Sequence, residues 1–122
     1  MRTTLITAAA ALMVATPAFA DDWDFILLNS SGKSIKAIEI SPAGSGSWQP
    51  NKVDPDMKRD AVIKTGGRMT VHFDKAGSQC RYDIKATFED GSAGTWSNIN
   101  VCDNSYITVK YDAKGAPVFT AS

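Results

Sequence analysis

The sequence predicts an all-β fold, a small antiparallel β-sandwich of about seven or eight short strands closed by one disulfide. Three observations predict it. The stretch "CRYDIKATFED" alternates strictly, with Cys80, Tyr82, Ile84, Ala86 and Phe88 on one face and Arg81, Asp83, Lys85, Thr87 and Glu89 on the other. That period of two marks a strand with one dry and one wet face. The same alternation recurs in "RMTVHFD" and "SYITVKYD", and turn chemistry separates these runs. No window beyond the first twenty residues carries a helical face.

Along the chain, "MRTTLITAAAALMVATPAFA" comes first. Arg2 precedes an apolar run, Thr16-Pro17 breaks it, and Ala18-Phe19-Ala20 supplies a small-x-small ending. That is the grammar of a secretory signal peptide cleaved after Ala20. The apolar run is shorter than the about 20 residues needed to span a bilayer. The expected organisation is therefore a leader over 1–20 and a single domain over 21–122, with no membrane span after cleavage and a periplasmic or secreted location. Within that domain 12 Lys and Arg face 13 Asp and Glu, a net charge of −1, and the signs are interspersed. No basic patch offers itself to nucleic acid or to an anionic lipid surface.

"WDFILLN" and "IKAIEIS" flank Ser30-Ser31-Gly32-Lys33 and predict a hairpin. Residues 41–60 follow without any period, longer than connections of compact domains usually run. This segment is a crossover between sheets with a candidate binding tip. Ala61-Val62-Ile63 predicts a weak strand ahead of Thr65-Gly66-Gly67, and "RMTVHFD" a firm one. After "CRYDIKATFED", Asp90-Gly91 marks a tight turn. "TWSNINVC" then returns as its neighbour, "SYITVKYD" follows, and Val118-Phe119 starts a last strand. Two cysteines in an exported chain predict a Cys80–Cys102 bridge, since neither CxxC spacing nor a histidine cluster points to redox or metal chemistry.

These residues carry a resemblance. "FILLNSSGKSIKAIEISPAGSGSW", "CRYDIKATFEDGSAGTW" and the closing "VC" resemble a group of small exported bacterial proteins. The matching positions are Phe25, Leu27, Asn29, Gly32, Ile35, Ser41, Pro42, Trp48, Cys80, Tyr82, Asp83, Asp90, Gly91 and Cys102. The resemblance implies a β-sandwich of C2-like or Ig-like shape and no settled activity. The name argininosuccinate lyase, sometimes attached to such proteins, has no support in these residues. The run "WQPNKVDPDMKRD" departs from the group, whose members often continue from the tryptophan with a glycine and a regular acidic-leucine segment.

No catalytic or cofactor residue is assigned. His72, the one histidine, falls on the polar face of its strand with no G-x-S-x-G elbow elsewhere. Asp83 and Glu89 share a face but lie about 20 Å apart at ~3.3 Å per residue, beyond a glycosidase pair. Asp54, Asp56 and Asp60 are weak calcium candidates, with Lys58 and Arg59 among them and no EF-hand spacing. Trp48 either caps the end of the sandwich or anchors a partner, together with Gln49 and Asn51. Trp96 is expected in the core; Trp23 suits either place. The expected function is non-catalytic: an exported module binding an unknown envelope or extracellular protein or ligand. The alternatives are a small secreted hydrolase, a calcium-dependent binding domain, and a subunit whose edge strand pairs with another copy.

Overall fold

A computed structural model describes residues 20–52 and 62–122. Its strands are β1 (Ala20–Ser30), β2 (Ile35–Pro42), β3 (Gln49–Pro50), β4 (Arg68–Ala76), β5 (Arg81–Phe88), β6 (Ala93–Asn100), β7 (Tyr106–Tyr111) and β8 (Pro117–Ala121). They form two four-stranded sheets, in the orders β4-β1-β7-β8 and β3-β2-β5-β6. The all-β sandwich is as the alternation predicts. Every pairing is antiparallel except β1 with β7, which run parallel from Ile26↔Tyr106 to Ser30↔Lys110.

The period-two strands bury the faces they were expected to bury. Tyr82, Ile84, Ala86 and Phe88 of β5 oppose Phe25 and Leu27 of β1, Val71 and Phe73 of β4, and Ile107 and Val109 of β7. Ile38, Ile40, Trp96 and Ile99 complete this core. Phe73 meets Tyr82 edge-on at 5.0 Å between ring centroids, so aromatic contacts cross from sheet to sheet.

β1 and β2 do not form the hairpin that their turn residues suggested. Each pairs elsewhere, β1 with β4 and β7, β2 with β3 and β5. Both strands carry a continuous apolar face, and those faces meet across the core rather than lying side by side in one sheet. Asn29 makes this corner possible. Its buried amide donates to Lys33 O at 2.8 Å and Ile63 O at 2.9 Å, while its Oδ1 accepts from Ser31 N and Ser31 Oγ. All of its polar capacity is thus used, as a buried side-chain amide requires. Ile63 forms one isolated bridge with Ile35 rather than a strand, and Ala61 lies outside the described residues.

β5 and β6 are neighbours, turned by Asp90-Gly91 as expected, with Gly91 at φ 87°. A residue with a Cβ is rarely stable at that angle. The Cys80–Cys102 disulfide closes the far end of this pair, with its Cα atoms 5.3 Å apart. Beside it Trp23 donates its indole N–H to Val101 O at 2.9 Å, and the buried Lys75 ammonium sits 4.9 Å above the Trp23 ring. Trp96 is buried, as expected.

Candidate functional site

The outer face of the β2–β5 pair and the loop after β2 make the most organised surface of the described residues. Four of the residues 43–48 are held by hydrogen bonds. Ala43 N donates to Arg81 O and Ser45 N to Pro42 O. Gly44 N donates to Asp83 Oδ2 at 3.0 Å, and Ser47 N to Ser45 Oγ at 3.1 Å. The buried Ser41 hydroxyl shares a 2.8 Å hydrogen bond with Ser45 Oγ. Asp83 also accepts from Asn98 N at 2.9 Å, so one carboxylate joins the loop to an irregularity in β6 where Asn98 takes φ 61°. That role explains an acid at this position without any catalytic duty.

Trp48 emerges from this loop half-buried and outside the core cluster. Its ring lies against Lys85 rather than within the core cluster. Lys85, on the outward face of β5, holds its ammonium 4.8 Å from the Trp48 ring centroid and 3.2 Å from Glu39 Oε2. An indole, a cation and a carboxylate therefore meet on the outer face of the second sheet. Neither Lys85 nor Glu39 was singled out in the sequence. The pairing Glu39↔Lys85 across β2 and β5 is the signal that could have found them.

Gln49 and Asn51 point the other way. The Gln49 amide donates to Asp74 O at 3.1 Å and accepts from Asp74 N at 3.2 Å. Asn51 Oδ1 accepts from His72 N at 2.7 Å, its Nδ2 donates to Thr70 O at 3.3 Å, and Lys52 N donates to His72 O at 2.8 Å. These groups belong to the outer edge of β4, which no strand among the described residues covers. The two side-chain amides, spaced by two residues, stand in for the peptide groups of a missing strand. Their polar atoms are therefore engaged within the chain.

His72 is bonded through Nδ1 to Asp24 across the β1–β4 pair, and its Nε2 lies 3.6 Å from Asp22. The Asp24 hydrogen bond, opposed by desolvation and reinforced by the charges of Asp24, Asp22 and Asp74, raises its pKa. Both ring nitrogens face carboxylates, and no hydroxyl or thiol joins the group among the described residues. Asp54, Asp56 and Asp60 lie outside the described residues. Among the described residues no cluster of His, Cys, Asp and Glu is arranged to hold a metal ion, and no helix is long and apolar enough to cross a membrane. The cavity at the other end is slight, lined by Ile35, Ile38, Ile63 and Met69.

No protein-family model matches the chain, and no curated protein matches it. Among solved structures, the chain is similar to the NMR structure of a protein from Eubacterium rectale, with a TM-score of 0.54 at 16% identity. The match covers 82% of this chain and 87% of that one, and it bears on the fold alone.

Proposed function

We propose that this chain is an exported, non-catalytic binding module of the bacterial envelope, and that it meets its partner through the Trp48 surface. The observation that carries the reading is the indole of Trp48 on a loop fixed by hydrogen bonds to Ser45, Arg81 and Asp83, beside Lys85 and Glu39. An aromatic anchor already ordered in the free protein loses little entropy on binding, the usual property of a binding surface rather than a spacer. The leader pattern over residues 1–20 supports export, and so does a disulfide, which belongs to oxidising compartments. The partner is an envelope or extracellular protein or ligand.

The test is crosslinking capture from envelope extracts with wild-type mature chain, Trp48→Ala, and a distant control, Lys114→Ala. Partners held by wild type and the control but lost by a folded Trp48→Ala variant support the reading. An identical set on all three would remove it. Export is checked separately by the mass of the chain recovered from the periplasm or medium, which is expected to begin at Asp21.

A further inference from the structure

Two sheets have four edges, and this chain treats them unequally. β4 is covered by the amides of Gln49 and Asn51 and flanked by the Lys52–Asp74 ion pair. β3 is two residues long, and β8 is five, beginning with Pro117, which has no N–H to offer. β6 spans eight residues, "AGTWSNIN", with no charge and no proline. Exposed edges are usually shortened, charged or capped against pairing with other chains. Among the described residues β6 carries no charge, proline or covering segment along its regular run, residues 93–96, which ends at a bulge before Ile99.

The groups it offers are defined. Gly94 and Trp96 pair with Ala86 and Ile84, and Ser92 O accepts from Phe88 N at 2.8 Å. In an antiparallel ladder alternate residues face the neighbouring strand. Ala93 and Thr95 therefore turn their N–H and C=O outward, and no partner for those groups exists among the described residues. Both side chains are exposed, small and neutral.

We infer that β6 pairs antiparallel with β6 of a second copy of this chain, about a two-fold axis at Gly94. That axis sets Ala93 against Thr95 of the other copy, and the reverse, using every outward group of the regular strand. At the axis Gly94 meets Gly94, where no side chains collide. Glycine is required there from below as well, because an added Cβ would run into the Tyr111 hydroxyl and the Trp96 ring. The same register lays the Glu89–Asp90 turn of one copy beside Asn98 of the other. Arg81 sits at that point, its Nη1 donating to Asn98 O at 3.4 Å. Glu89 has no ion-pair partner within its own chain among the described residues, so the two-fold axis brings together an acid and a base twice over. This complementarity selects a second copy over an arbitrary extended peptide. With few hydrogen bonds and a narrow contact, the pairing is a weak, concentration-dependent one.

Sedimentation equilibrium of the oxidised mature chain, from micromolar to millimolar, is the test. Wild type is expected to pass from monomer to dimer, with the midpoint moving to higher concentration as salt rises from about 0.1 to about 1 M and screening shortens from about 10 to about 3 Å. Thr95→Pro removes an outward N–H that β5 does not use, and is expected to abolish the dimer. Arg81→Glu is expected to weaken it at least about tenfold, one decade in the constant, and Glu89→Arg placed in the same chain to restore it. A wild type monomeric at millimolar concentration overturns the inference. So does a dimer indifferent to Thr95→Pro and Arg81→Glu, or a charge-swapped chain that fails to recover. None of these outcomes touches Trp48, so the failure of this pairing and of the proposed binding surface are separable.

Discussion

The side chain of Gln49 pairs with the backbone of Asp74 as one strand residue pairs with another, giving an N–H and taking one in return. Asn51 repeats the arrangement on His72 and Thr70. The open edge of one sheet is thereby closed by the segment that also carries the Trp48 loop. Fold and candidate site share this attachment.

Gln49→Ala and Asn51→Ala are expected to destabilise the chain by about 1–2 kcal/mol each, because each leaves β4 backbone groups without their protein partners. The two losses should not add simply, since both caps serve one edge. Urea denaturation shows this as a lower midpoint at an unchanged slope.

Reducing the Cys80–Cys102 bridge releases a loop of sequence separation 22. In the chain-entropy account that costs about 3 kcal/mol. Melting followed by circular dichroism should fall by roughly 10–25 °C on adding reductant. The far-UV spectrum below the transition should remain that of a β protein.

Trp96 donates its indole N–H to Lys110 O at 3.0 Å and to Val118 O at 2.9 Å, tying β6 to the β7–β8 pair of the opposite sheet. Trp96→Phe keeps most of the apolar volume and removes that donor. A loss of about 1–3 kcal/mol is expected, with hydrogen exchange rising first at β8.

His72 has a folded-state pKa above its ordinary value of 6.5, chiefly through Asp24. Its ion pairing therefore contributes fully below that value and is lost as pH rises through the folded-state pKa. Asp90 behaves in the opposite sense. Hydrogen bonds from Ser92 and then Lys33 hold its carboxyl well below the usual range, so its contribution is present above the ordinary value and lost only in strong acid. NMR titration should find the His72 ring titrating late in wild type and earlier in Asp24→Asn. It should find the Asp90 carboxyl moved upward in Ser92→Ala.

The strands were legible where burial is one-sided. β5 shows Tyr82 to Phe88 because one face is dry, and Asp90-Gly91 is a turn that local chemistry alone dictates. The β1–β2 hairpin was misread because Ser31 and Gly32 record that the chain reverses, not which strand it then pairs with. The partners of β1 lie far along the chain, and no local pattern names them. Trp48 was visible as a candidate anchor, but its companions Lys85 and Glu39 emerge only from the β2–β5 register. Gln49 and Asn51 carry their signal in a spacing of two around Pro50, which looks like loop chemistry until the bare edge of β4 is seen beside it.

Amide hydrogen exchange at His72 and Asp74, in the dilute oxidised chain, tests most directly whether the arm from Gln49 to Lys52 is fastened to β4. Fastening predicts that both amides exchange slowly, near the rate set by global unfolding, and that each speeds up in its own variant, Asn51→Ala or Gln49→Ala. Exchange in wild type as fast as that of a free edge, such as Ala93 and Thr95 at the same dilution, would contradict it.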